Sequence, residues 1–325
     1  MKRLILLIVM AAMLAGCGAE LPHLPPDAPD VAAAMTDAPL ISMAGEPEPP
    51  PETTAPPPPP ELPPPVIPDE VHTNIDAETA IPVFIKLRDT AASVGASVYF
   101  TDVEREYYFG IDEETWYHTA STIKAVYCHY LLSSGVDLEA EVTFTNANRT
   151  SVTGKLSAND VGKSFTVGEL MELALRYSDN QAHRLLYETF GIEGYNRYVS
   201  GLGAGGLQMS EEWEWSRVSA KKLSRAMLDI YRYGKTDDFV IEHLKNASYN
   251  GQIPAGTAYE TAHKYGANGG GDGYHDTAIV YAPGRAYILT ILTGIDPAKT
   301  ADEDAIFREI AGLCDELHAI LFADL

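Results

Sequence analysis

Ser121 and Lys124 stand three residues apart in the stretch Ala120-Ser121-Thr122-Ile123-Lys124. At the start of a helix that spacing stacks the two side chains on one face. The lysine amine can then take the proton of the serine hydroxyl, so Ser121 is a candidate nucleophile with its base built in. A strand-like run, ASVYFTDVEREYYFGI, precedes the pair, and an apolar helical run, AVYCHYLLSS, follows it. The positive end of that helix favours an alkoxide and depresses the pKa of a nearby lysine. The same spacing recurs at Ser219-Ala220-Lys221-Lys222. There it opens the amphipathic run SAKKLSRAMLDIYRYG, and Ser219 reads as the N-cap of an ordinary helix.

Two further short motifs follow downstream. Thr166-Val167-Gly168-Glu169 has the pattern of a capping box, and the helix it opens runs to Ser178. QAHRLLYETF resumes as a second helix that ends at Gly191. Ser178-Asp179-Asn180 therefore sits on a short turn between two helices, where polar side chains can point into a cleft; alone, it is a turn of favoured turn residues. The third motif is Lys264-Tyr265-Gly266-Ala267, before a Gly-rich turn and the strand-like runs TAIVYA and AYILTILTG. Lys264 is expected on an edge strand, with Gly266 allowing close backbone approach.

Together and in this order, the three motifs resemble those of the penicillin-recognising serine enzymes, class A β-lactamases most closely. The flanking pattern TVGELMELALRYSDN and Cys128, seven after Ser121, suit the same family, and the resemblance covers about residues 76 to 325. It implies that Ser121 is acylated, with Lys124 as base. Asn180 would hold Lys124 and the substrate amide, and Ser178 would relay a proton to the leaving nitrogen. Lys264 would polarise that relay and attract a substrate carboxylate. It also implies an oxyanion hole from the backbone N–H groups of Ser121 and Ala267, beside Gly266. Tyr265 stands where the family carries a small hydroxyl residue, and Tyr265 or His275 would share the carboxylate contact. The family's Glu-x-x-Leu-Asn is absent from GLQMSEEWEWSRVSAKK. A deacylating carboxylate would have to be Glu211, Glu212 or Glu214.

These residues must be positioned by one sizeable domain, expected over 76–325. Helical patterns cluster in its middle, between strand-like runs near 96–110 and 276–294, and DEDAIFREIAGLCDELHAILFADL reads as an amphipathic helix. Strands from both ends with helices between predict an α/β fold of α+β type. An antiparallel sheet is flanked by helices and carries a helical subdomain.

The rest of the chain is different in kind. Lys2 and Arg3, the apolar run LILLIVMAAML and Leu14-Ala15-Gly16-Cys17 read as a lipoprotein signal over 1–17, with Cys17 lipidated. Residues 18–75 hold 18 of the 22 prolines, ten acids and no Lys or Arg. Such a segment cannot bury a core and reads as an extended tether. The chain has 325 residues and a net charge of −23, a poor match for nucleic acid.

Nine histidines include no HExxH pair and no cysteine at ligand spacing, so neither metal nor cofactor is expected. Gly201-x-Gly203-x-x-Gly206 has the letters of a dinucleotide fingerprint, but no strand precedes it. Cys128 and Cys314 could pair or remain buried thiols. The expected protein is an exported, lipid-anchored monomer on the outer face of the cytoplasmic membrane. It would be a serine hydrolase acting on β-lactams through an acyl-enzyme. A D,D-carboxypeptidase or transpeptidase acting on D-Ala-D-Ala stem peptides uses the same machinery. A binding or sensing module, acylated but not turned over, is a further reading.

Overall fold

The computed structural model describes residues 65–150, 154–210, 215–268 and 273–323. All lie in the second of two compact units, Leu62–Leu325. The signal and the Pro-rich segment to residue 64 fall outside the described residues, and so do Glu211, Glu212 and Glu214.

The strands are β1 (Val71–Thr73), β2 (Ser97–Asp102), β3 (Tyr108–Ile111), β4 (Tyr117–His118), β5 (Glu141–Thr143), β6 (Ser164–Thr166), β7 (Arg217–Val218), β8 (Thr261–Asn268), β9 (Gly273–Val280) and β10 (Tyr287–Thr293). The helices are α1 (Ile81–Ala92), α2 (Ile123–Ser133), α3 (Val167–Arg176), α4 (Asn180–Phe190), α5 (Glu193–Gly201), α6 (Ala220–Tyr233), α7 (Phe239–Lys245), α8 (Ile253–Gly256) and α9 (Ala305–Leu321). Six strands form one antiparallel sheet in the order β1-β3-β2-β10-β9-β8. β8 is thus an edge strand, as expected for Lys264.

Side-chain alternation divides the core between the two faces of this sheet. Val98, Phe100, Leu289 and Ile291 face Phe84 and Leu87 of α1 and Phe307, Ile310 and Leu317 of α9. Ile279, Ile288 and Leu292 face the helical half, where Leu223 and Met227 of α6 meet Val126 of α2. Each such side chain fully buried contributes roughly 1.5–3 kcal/mol. Cys128 lies in the second cluster and Cys314 in the first; both are free and buried.

The fold begins earlier than the composition suggests. β1 pairs with β3 from Val71↔Ile111 to Thr73↔Phe109, and Val71 and Ile75 are buried. A three-residue strand at the end of an acidic, Pro-rich segment carries too little alternation to mark the expected boundary at 76.

Candidate active site

Ser121 sits on a single 3-10 turn, Ala120–Thr122, that runs straight into α2. Thr122 Oγ1 donates to the Thr119 carbonyl at 2.6 Å, and the Ala120 N–H donates to His118 Nδ1 at 2.9 Å. Ala120 has φ +45°, a left-handed conformation that costs a non-glycine residue about 1–2 kcal/mol. Such strain persists where the surroundings enforce it, and it clusters at functional sites.

Lys124, one turn on, is fully buried. Its Nζ lies 3.0 Å from Ser121 Oγ and donates to Asn180 Oδ1 and to the Ser178 carbonyl, each at 2.6 Å. Two carbonyl oxygens thus take two N–H groups. The position facing Ser121 is an N–H when the amine is charged and a lone pair when it is neutral. In the neutral form it can accept the serine proton.

Ser178 and Asn180 are held by the residue between them. Asp179 is fully buried and caps α4: one carboxylate oxygen accepts the Ala182 N–H and the other the Leu156 N–H, each at 2.8 Å. The next side chain, Gln181, donates to the Leu156 carbonyl. Ser178 adopts φ +55°, a second left-handed non-glycine. Its hydroxyl lies between the two lysines, 3.3 Å from Lys124 Nζ and 3.0 Å from Lys264 Nζ.

Lys264 also donates to the Tyr265 carbonyl at 3.0 Å. Burial lowers its pKa to about 7, opposed by the Asp276 carboxylate. A lysine titrating there is a cation or a neutral amine at small energetic cost, which suits a proton relay. Gly266 brings β8 against the nucleophile turn: a Cβ there would lie 3.0 Å from the Ser121 nitrogen and from the Ala120 Cβ. Ser121, Ser178 and Asn180 are partly exposed and Ala267 is exposed, while both lysines are buried beneath them.

His275 departs from the expectation. It is fully buried, accepts the Thr293 N–H at Nδ1 (3.0 Å), and donates from Nε2 to the His118 carbonyl (2.7 Å). Both nitrogens are committed, so it clamps the segment entering the Ser121 turn rather than meeting a substrate. Asp276 is likewise internal, accepting from His263 Nδ1 at 2.9 Å and from the Ile253 N–H at 3.1 Å. Tyr265 packs its ring on Tyr249 with centroids 5.1 Å apart, and Lys264 Nζ lies 4.1 Å from the Tyr265 centroid.

Sequence reading missed Asp179 as a holder of the site, although the middle letter of Ser-Asp-Asn was in plain view. It also missed Trp215, whose ring centroid lies 5.5 Å from Lys124 Nζ. Trp215 follows the three glutamates that fall outside the described residues. The chain just after it is stitched to the nucleophile segment: β7 pairs with β4, and Thr119 and Ser216 exchange hydrogen bonds of 2.8 and 3.1 Å. Ser219, the serine of the second Ser-x-x-Lys, occupies the N-cap position of α6 and is buried. Its hydroxyl lies 3.5 Å from the Glu114 carboxylate.

A strained serine turn on a buried lysine, faced by a Ser-Asp-Asn turn and an edge-strand lysine, defines the domain as one of the penicillin-recognising serine-hydrolase type. Residues 82–316 match the profile described as "Beta-lactamase enzyme family", and the chain belongs to that family. It is 33% identical over 115 residues to β-lactamase ROB-1 of Haemophilus influenzae, 34% of this chain and 37% of that relative. The chain thus spans little more than a third of the ROB-1 length. It is 25% identical over 248 residues to a β-lactamase of Bacillus licheniformis, 70% of this chain and 80% of that one. Among solved structures, a PBP-A mutant captured as an acyl-enzyme with penicillin G superposes with TM-score 0.65 at 18% identity, covering 73% of this chain and 96% of that one. The class A β-lactamase of Mycobacterium abscessus superposes with TM-score 0.63 at 18% identity, covering 73% and 99%. At these identities the structural likeness concerns the fold.

Proposed function

We propose that the chain is a serine hydrolase that opens β-lactams through an acyl-enzyme on Ser121. The 3.0 Å contact of Lys124 Nζ with Ser121 Oγ, inside a network that fixes the amine, carries this reading. Neutral Lys124 takes the Ser121 proton as Oγ attacks the lactam carbonyl. The oxygen that gains charge is received by the backbone N–H groups of Ser121 and Ala267, a contribution of about 2.7–4 kcal/mol for one donor in well-studied cases. The proton passes through Ser178, between the two lysines, to the departing lactam nitrogen, and the C–N bond breaks. The leaving amine stays tethered, so the adduct retains the whole mass of the β-lactam. Lys264, when charged, offers a cation to the carboxylate that β-lactams carry. Water then releases the product, with Glu211, Glu212 or Glu214 as the carboxylate that activates it.

The same proposal puts the protein outside the cell, lipidated at Cys17 and acting as a monomer at the end of its Pro-rich tether. The sequence Leu14-Ala15-Gly16-Cys17, the composition of 18–75 and the gathering of Ser121, Lys124, Ser178, Asn180 and Lys264 in one domain support it. Labelling cells with a fatty-acid analogue tests the anchor, and a label retained by Cys17→Ala would refute it.

The acyl-enzyme is tested by intact-mass spectrometry after exposure to penicillin G. The expected result is one whole-penicillin adduct, absent from Ser121→Ala and present in Ser219→Ala. An adduct that persists in Ser121→Ala would overturn the assignment.

A further inference from the structure

A cavity of about 780 Å³ lies away from Ser121. It lies between α6 and the β1–β3–β2 half of the sheet. β2 and β8 are separated by β10 and β9, three strand spacings or about 14 Å. Lys221, Ser224, Arg225, Leu228, Asp229 and Arg232 of α6 line it. Their spacing of three, one, three, one and three residues makes one continuous stripe along the helix. The stripe presents three cations to one space. A fourth, Arg105, reaches it from the β2–β3 turn.

The two acids of the cavity already have partners. Glu113 is held by His72 at 3.1 Å, with Lys221 at 3.8 Å, and Asp229 accepts from His129 at 2.9 Å and Tyr198 at 2.7 Å. Arg105, Arg225 and Arg232 have no carboxylate within ion-pair distance among the described residues. Arg88, Arg176, Arg184, Arg197, Arg285 and Arg308 each have one. In a chain of net charge −23, three guanidiniums without a carboxylate at ion-pair distance, gathered around one concavity, form a local positive field. The wall beside them is aromatic: Tyr99 and Tyr108 lie with ring centroids 6.2 Å apart and planes 26° from parallel.

We propose that this cavity is a second binding site, for a small organic polyanion with a flat aromatic body. The volume is that of a site for a small molecule. Guanidiniums take planar anionic groups in bidentate fashion and stack on aromatic faces. The tyrosine wall and Leu228 receive the apolar body. The site also touches the loop that leads back to the nucleophile. Gly201 and Leu202 also line it, and Arg225 Nη1 donates to the Gly203 carbonyl at 2.9 Å.

The test titrates the full chain with 8-hydroxypyrene-1,3,6-trisulfonate at low ionic strength and follows fluorescence anisotropy. One saturable site is expected. The double variant Arg105→Gln/Arg232→Gln should weaken it about tenfold, the sum of two partly exposed charge contacts, and Lys264→Gln should leave it unchanged. Both arginines are exposed, so the variants retain the fold, which an unchanged Tm verifies. Arg105→Glu alone, on the turn, should act in the same direction. Inorganic sulfate should displace the dye only far above the dye's own Kd, because it has no ring to place on the tyrosines. Absence of saturable binding, equal binding by the arginine variants, or loss in Lys264→Gln instead would overturn the proposal. Displacement by sulfate at concentrations equal to the dye would do so as well.

Discussion

A Cβ built on Gly266 would stand 3.0 Å from the backbone nitrogen of Ser121, so the edge strand and the nucleophile turn touch with no spare room. That nitrogen is the proposed oxyanion donor. Gly266→Ala should displace it by a few tenths of an ångström and slow acylation by roughly tenfold or more, since misplacement by about 1 Å costs on the order of 10²-fold. Stopped-flow acylation by a chromogenic cephalosporin measures this. An undiminished rate would show that β8 does not set the position of the turn.

The two lysines should separate by substrate. Lys124→Ala removes the proposed base and should slow acylation by roughly 10²–10⁴-fold, whatever the substrate carries. Lys264→Ala should do most of its damage when the substrate bears a carboxylate. Parallel measurements with penicillin G and its methyl ester distinguish the roles, and equal losses from both variants on the ester would contradict them.

Lys264 is a cation below its pKa of about 7 and neutral above it. The profile of kcat/KM reports the free enzyme. The preference for penicillin G over its ester should therefore be greatest below pH 7 and decline as pH rises through about 7. A preference that stays level from about pH 6 to about pH 9 would remove the Lys264 charge from recognition. Stability follows the same titration. Unfolded Lys264 keeps its proton to about pH 10.4, so between about 7 and 10.4 the unfolded state binds more protons. This residue's contribution to stability then rises with pH. The wild-type chain should gain stability toward urea across that window relative to Lys264→Met.

Asp179 is a structural keystone of the site. Asp179→Ala would leave two buried N–H groups without acceptors, at a cost of about 3 kcal/mol and a Tm lower by roughly 5–12 °C. Acylation should fall with it, because Ser178 loses what holds its left-handed backbone. Asp179→Asn retains one acceptor oxygen and should lose less. A Tm unchanged in Asp179→Ala would mean that the cap contributes nothing.

Turnover is the remaining kinetic question. If one of Glu211, Glu212 and Glu214 activates the deacylating water, its replacement by Gln should trap the penicillin adduct while the other two replacements do little. Rapid turnover unaffected by any of the three would assign the water to another base, with Lys124 the first to examine.

Much of this architecture could be read from the letters. The capping box opens α3 as expected, with Glu169 N–H to Thr166 Oγ1 at 3.1 Å and Thr166 N–H to the Glu169 carboxylate at 2.8 Å. Gly191, at φ +76°, closes α4. Local rules sufficed because capping and chain reversal are local interactions. The strained backbone at Ala120 and Ser178 had no such signal, since neither residue type favours positive φ and only long-range packing enforces it. His275 misled for a related reason. A histidine in a polar hairpin sequence reads as a substrate contact, and the two partners that bury it, Thr293 and His118, lie 18 and 157 residues away. Trp215 was invisible because its relation to Lys124 spans a loop without periodicity.

The chain enters its sheet at β1, on the edge opposite β8. A pull on the preceding segment is therefore delivered to three residue pairs, Val71↔Ile111 to Thr73↔Phe109. Those pairs act as a mechanical fuse. They can open in succession, while β3, β2, β10 and β9 stand between the load and Gly266. The domain can be tugged, frayed and re-zipped at this rim with the geometry around Ser121 left undisturbed.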